Sequence, residues 1–192
     1  MVAVLLLILG IILFLVIAIA LYIFKTQRTL VNLDELCKNA MSQIAVQLNS
    51  RWDALLALAK TAAQYAKHES ETIINTINAR RQNQVTTAEE AKLQQGELTQ
   101  IMGRLMAIGE AYPELKANDL YLKTMDSVNS YEENVRMSRM VYNDTATKMN
   151  RMVRMWPSSF VASMLNFREK AYLTVDEEKK NSYPDLDEAF KK

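Results

Sequence analysis

The chain has 192 residues, with 23 basic and 22 acidic side chains, one histidine, one cysteine and four glycines. A net charge of +1 argues against a dedicated nucleic-acid binder, which concentrates positive charge in a patch or stripe, so no nucleic-acid partner is expected. A single histidine, His68, rules out a paired-histidine metal site or a di-iron centre built from two Glu-x-x-His helices, and no Gly-rich phosphate loop or Gly-x-Ser-x-Gly motif occurs, so the expectation is no cofactor, no metal and no catalytic residue.

From Val2 to Phe24 the side chains are almost all aliphatic or aromatic, and the first charge is Lys25. At about 1.5 Å of rise per residue this run makes about 34 Å of helix, enough to cross a hydrocarbon core of about 30 Å. It is longer than a signal-peptide core of about 7–15 residues, no Lys or Arg precedes it, and Phe24-Lys25-Thr26-Gln27 lacks a small-x-small cleavage pattern. Residues 1–25 are therefore predicted to be a retained transmembrane anchor. Lys25 and Arg28 follow the span, which predicts an external N-terminus and a cytoplasmic body; the lone Cys37 is compatible with a reducing interior.

Residues 26–173 are expected to form one helical domain. No glycine or proline lies between Gly10 and Gly96, and strong helix formers dominate. Leu33, Cys37, Ala40, Ile44, Leu48, Trp52, Leu55, Leu58, Ala62 and Tyr65 recur every three or four residues, the mark of one buried face. With no breaker in between, the membrane helix is predicted to continue into the body as a rigid stalk, extending through Ile73, Ile74 and Ile77. Parity stays open at this stage. A turn at Tyr65–Ser70 gives four passes and returns Trp156 and Phe160 toward the membrane, whereas continuous helix gives three passes and leaves them at the far end.

A polar break at Arg80–Glu90 carries a capping-box signal, Thr87 with Glu90 or Thr86 with Glu89. The following helix has a seam at Leu98, Ile101, Leu105, Ile108 and Tyr112, spaced as in helices packed at a shallow angle. Pro113 ends it. Tyr112, Pro113 and Glu114 are expected to build a turn, with Lys116 near the preceding helix C-terminus where a cation is favoured, and Asn118 or Asp119 to cap the next helix. That last long helix turns Tyr121, Met125, Val128, Tyr131, Val135, Tyr142, Met149 and Val153 to one side and stops before Trp156-Pro157. The fold class is thus all-α: a transmembrane helix continuing into an antiparallel up-and-down bundle of three to four long helices.

Arg136, Arg139, Lys148, Arg151 and Arg154 fall on the far side of that helix, either as a solvated face or as a docking stripe for anionic headgroups or an acidic partner. Glu133, Asn134, Arg139, Tyr142 and Asn143 make either a polar layer that fixes helix register or a site on the bundle flank. The methionines from Met137 to Met164 are read as adaptable core packing. Phe160, Val161, Met164 and Leu165 are expected to share one face that caps the bundle or lies on a membrane or sister subunit. Residues 174–192 are charged and aperiodic and read as a flexible tail.

Dispersed blocks carry a resemblance. Met41-Ser42-Gln43-Ile44 with Val46-Gln47-Leu48, Arg51 and Asp53, Tyr65-Ala66-Lys67-His68-Glu69, Gly103-Arg104-Leu105, Glu110 to Asn118, Tyr131-Glu132-Glu133-Asn134-Val135, Arg139 with Tyr142-Asn143, and Pro157-Ser158-Ser159 together resemble the LemA family, in order from about Val31 to Tyr172. The resemblance implies a bacterial cytoplasmic-membrane protein with a short external N-terminus, an internal helical bundle and no assigned reaction. One branch of the family belongs to magnetosome membranes. Three departures stand out: Ala54 to Leu58 lacks the usual Pro-Asn interruption, Met149-Asn150 stands where many members repeat Tyr-Asn, and Asn166 replaces the usual Gly before Phe167. They set the second-copy residues apart from the family's pattern. The favoured function is a non-enzymatic membrane-anchored scaffold that self-associates; the alternative is an adaptor that recruits or regulates another membrane protein such as a protease. The lipid bilayer, further copies of the chain and such a membrane protein are the expected partners.

Overall fold

The structure is a computed structural model that describes residues 1–80 and 85–173. The described residues are all-α, without a strand, in six helices: α1 Val2–Ala62, α2 Lys67–Arg80, α3 Ala88–Ala111, α4 Pro113–Lys116, α5 Asp119–Arg154 and α6 Ser158–Met164. The expected tail from 174 lies outside the described residues.

α1 joins two environments in one continuous helix of 61 residues. Its N-terminal part is long and apolar enough to cross a membrane, and none of that part is buried in the body. Burial begins at Ile23, Thr26 and Leu30 and then follows the predicted stripe through Leu33, Cys37, Ala40, Ile44, Leu48, Trp52, Leu55, Leu58 and Ala62. The helix runs unbroken across Ala54–Leu58, as expected where the family's Pro-Asn is missing.

The stalk does not extend through Ile77. α1 ends at Ala62, the Tyr65 and Ala66 N–H groups both donate to the Ala62 carbonyl, and α2 begins at Lys67. No proline or glycine causes this break, so local sequence does not announce it. The cause is tertiary: α2 packs against α1, and Ala66, Ile73 and Ile77 are buried completely or nearly so. A straight rod would leave both isoleucines in water, at about 1.5–3 kcal/mol each.

α3 starts at the capping box anticipated for Thr87. Its hydroxyl accepts from the Glu90 N–H (3.2 Å), and the Glu90 carboxylate accepts from the N–H groups of Thr87 (3.0 Å) and Thr86 (2.8 Å). The seam Leu98, Ile101, Leu105 and Ile108 is buried, whereas Tyr112, its last member, is 38% exposed. Gly109 answers a close approach: a Cβ there would stand 2.5 Å from the Tyr121 hydroxyl. Tyr112 leads into α4, where Pro113 occupies the first turn, Leu115 is fully buried, and Glu114 and Lys116 face solvent. Asn118 caps α5, accepting from the N–H groups of Leu120 (2.9 Å) and Tyr121 (3.2 Å).

α1 packs most extensively on α5, and then on α3 and α2. The Trp52 indole N–H donates to Gln94 Oε1 on α3 at 3.2 Å, and Arg51 Nη2 donates to Glu132 Oε2 on α5 at 2.9 Å. After α5 the Trp156–Pro157 peptide is cis, and α6 closes on a complete C-terminal motif. Phe167 N–H bonds the Ala162 carbonyl and Asn166 N–H the Ser163 carbonyl, with Asn166 at φ 59°. That left-handed geometry explains why glycine is usual there and why asparagine, which tolerates it, can stand in.

Candidate functional site

The residues singled out from the sequence go to four different places. Glu133 and Asn134 are exposed on α5, and the Glu133 carboxylate takes two hydrogen bonds from Arg136 (3.0 and 2.8 Å), which hold its pKa below the ordinary carboxylate value. Arg139 is half-buried and reaches Gln95 on α3. Lys148 pairs with Asp144 one turn earlier at 2.7 Å, Arg154 pairs with Glu169, and Arg151 is exposed. The five cations are therefore not one stripe of equal standing. Arg136, Lys148 and Arg154 each meet a carboxylate, while Arg139 is turned into a helix contact.

Tyr142 and Asn143 do something the sequence analysis did not anticipate. They are not part of one polar layer with Glu133 and Arg139; they grip the backbone of the extended segment that follows α6. Asn143 Nδ2 donates to the Leu173 carbonyl (2.8 Å), Asn143 Oδ1 accepts from the Leu173 N–H (2.9 Å), and the Tyr142 hydroxyl donates to the Ala171 carbonyl (3.0 Å). One heptad further along, Asn150 repeats the grip on Lys170, donating to its carbonyl (2.9 Å) and accepting from its N–H (2.7 Å). The match is geometric: seven residues of helix rise about 10.5 Å, and three residues of extended chain, Lys170 to Leu173, span about 10 Å. Asn150 keeps this role although Met149 stands where a tyrosine is usual; its signal in the sequence is its place one heptad after Asn143 on the same face.

The clasped segment is tied to α1 as well. Lys170 Nζ lies 2.6 Å from Asp34 Oδ1, and Lys38 Nζ lies 2.7 Å from Asp34 Oδ2. Burial pushes the Asp34 carboxyl up, but the hydrogen bonds from the two lysines outweigh it and its pKa is lowered. Burial pushes the neighbouring Cys37 thiol up, as it does the Tyr142 hydroxyl, so Cys37 is a packed thiol and not an activated one.

Arg51 was legible only as part of a motif. Its side chain is 1% exposed, Nη2 meets Glu132, and Nε and Nη1 are buried without a hydrogen-bond partner among the described residues. Burial draws its pKa down and Glu132 opposes that. Beside it, Ser50, Asp53, Lys123, Thr124, Ser127 and Tyr131 line an open groove of about 320 Å³ between α1 and α5. Among the described residues no group of three or more His, Cys, Asp or Glu side chains is placed to hold a metal ion. His68 stands at the start of α2 and Cys37 in the middle of α1. About 25 residues of α1, or about 37 Å of helix, lie between Cys37 and the end of α1 that leads to His68.

The methionines are redistributed relative to expectation. Met149 is fully buried and Met152 partly so, but Met137, Met140, Met155 and Met164 are exposed. Phe160, Val161, Met164 and Leu165 do not share a face either. Val161 is buried and Leu165 packs on the core, whereas Phe160 is 68% and Met164 57% exposed, because a seven-residue helix pressed against the bundle can bury only one side.

An all-helical body built on one long, partly apolar helix points to a membrane-associated protein. The chain belongs to the LemA family, whose profile matches residues 40–187. It is similar to magnetosome protein MamQ 2 of Paramagnetospirillum magneticum, 32% identical over 71 residues, which are 37% of this chain and 26% of that protein. Magnetosome protein MamQ of Magnetospirillum gryphiswaldense matches to the same extent, 32% over 71 residues, again 37% and 26% of the two chains. The aligned stretch spans about a quarter of the length of these relatives.

Proposed function

We propose that this protein is a non-enzymatic scaffold, anchored by one membrane pass with its N-terminus outside and its body in the cytoplasm, that self-associates through the flank of its bundle. The observation that carries the reading is the continuity of α1. A single helix of 61 residues, about 90 Å long, is exposed apolar rod at one end and bundle core at the other. Span and body are then one rigid piece, and packing between neighbouring bodies is transmitted directly to the bilayer. The bundle reads as four passes, α1, α2, α3 and α5 in alternating directions. Arg51 pairs with Glu132 while Asp34 meets Lys170, itself clasped to Asn150, which supports α1 antiparallel to α5; Arg139 meets Gln95 while the Tyr121 hydroxyl donates to the Leu105 carbonyl, which supports α3 antiparallel to α5.

The associating surface is the side of α5 that carries Met137, Met140 and Val141, exposed at positions i, i+3 and i+4 of one helix face. The cations of α5 serve as a largely compensated, solvated face. Similarity to magnetosome proteins is compatible with an organising role in a membrane, and an adaptor for another membrane protein would use the same flank.

Light scattering of the detergent-extracted full chain across concentration tests this. The expected result is a defined oligomer that Met140→Glu with Val141→Glu dissociates. A monomer at all concentrations disposes of the scaffold, and oligomers indifferent to the double variant move the contact elsewhere.

A further inference from the structure

We infer that the corner between α5 and α6, Met155-Trp156 with Phe160 and Met164, is a second membrane contact that sits in the headgroup zone beside the exit of α1. The structure leaves Trp156 84% exposed, together with Phe160, Met164 and Met155 at 56–68%. These four cluster within ten residues, at the one place where the chain turns from α5 into α6 and back along α5 as the clasped segment.

The helix register fixes the height of that corner. Arg51 on α1 meets Glu132 on α5. Asp34 meets Lys170, whose backbone is held by Asn150. Seventeen residues back along α1 are thus matched by eighteen forward along α5. Six residues beyond Asn150, Trp156 comes level with Gln27 and Arg28. That is about 5 Å of helix rise past Phe24, the last residue of the apolar run. The polar zone on each side of the hydrocarbon is about 5–8 Å deep, so a membrane that takes up Val2–Phe24 meets this corner at its interface. Partial burial of Ile23 against the core confirms that the body reaches that far down α1.

The chemistry suits the place. Tryptophan prefers the headgroup level because its ring is apolar and its N–H is not. Phenylalanine and methionine supply apolar surface; the exposed cations Lys25 and Arg28 lie within a turn of the same height on α1, and exposed Arg151 is five residues before Trp156 on α5. The occupant is the lipid interface of the same membrane that holds α1. The inference rests on the anchored reading of α1 and not on self-association. With two contacts the rod is held upright and cannot swivel about its single span.

Full-length protein in phosphatidylcholine vesicles, with or without bromine atoms near the headgroup end of the acyl chains, provides the test. Trp52, the other tryptophan, is fully buried and about 36 Å of helix above the interface, out of reach of the bromines. Brominated vesicles are expected to lower the emission about 1.5- to 2-fold, the share of one tryptophan in two, if Trp156 sits at the interface. Trp156→Phe should abolish that loss, and Phe160→Trp in the same background should restore it. Protein that floats with the vesicles yet emits equally in both lipids overturns the contact alone. Failure to float overturns the anchor and the contact together. Emission that follows the protein-to-lipid ratio but ignores bromine makes the occupant a second copy and overturns the proposal.

Discussion

Asn143 and Asn150 each satisfy both the donor and the acceptor of one backbone residue in the segment behind α6. Asn150→Ala removes two partly buried hydrogen bonds and leaves the Lys170 backbone without them, so a loss of about 1–2 kcal/mol in unfolding free energy is expected. Amide exchange should speed up at residues 168–173 while α1 and α3 stay protected. The same segment is tied to α1 through Lys170 and Asp34, which makes the clasp sensitive to acid. Because the Asp34 pKa is lowered in the folded chain, the bridge contributes fully above the ordinary carboxylate value of about 4 and is lost as pH falls through the lowered one. Exchange at residues 168–173, corrected for intrinsic pH dependence, should therefore rise below about pH 4, and Asp34→Asn should bring the fast-exchanging state to neutral pH. Half of this clasp was legible. Tyr142-Asn143 stood out as a motif, but the groups it holds are backbone atoms of an aperiodic segment, and a backbone carries no sequence pattern.

Among the elements, α1, α3 and α5 were readable because their buried residues repeat at helical spacing and their ends carry chemistry, as in the Thr87 capping box and the Asn118 cap. The turn after Ala62 is only one of two alternatives in the sequence, because nothing in Thr61-Ala62-Ala63-Gln64-Tyr65 opposes helix. It forms where the chain must reverse to bury Ile73 and Ile77 on α1, a decision made by residues a full turn or more downstream. Shortening one of them tests that account. Ile77→Ala removes a fully buried side chain at a cost of about 2–4 kcal/mol, measured by chemical denaturation, and α2 should lose exchange protection before α3 or α5. If α2 owed its place to local turn propensity instead, the substitution would lower global stability without singling out α2. The face of α6 escaped the sequence for a related reason: its four apolar residues suggested one buried side, but only Val161 and Leu165 find the core, and Phe160 and Met164 are left outside.

At the scale of the whole molecule, α1 divides into a part that contributes nothing to the core and a part that nucleates it. Residues 2–22 are all exposed, and the partly buried Ile23 and buried Thr26 and Leu30 begin the packed region. Removing residues 2–21 therefore takes away the proposed membrane pass without deleting a buried side chain. The shortened chain is expected to unfold within a few degrees of the full-length protein in the same detergent, since a loss of about 1 kcal/mol moves the midpoint of a domain this size by about 2–4 °C. It should also leave the membrane fraction for the supernatant, because a corner of four apolar side chains resembles a single lipid anchor, which holds protein only marginally and reversibly. The two readouts separate two jobs of one helix. Retained stability with lost sedimentation places the anchor in the exposed stretch and the fold in the rest. A large drop in the midpoint would mean instead that the body needs its rod held in lipid to fold at all, and the rigid-piece account of the scaffold would then have to give way to one in which bilayer and bundle stabilise each other.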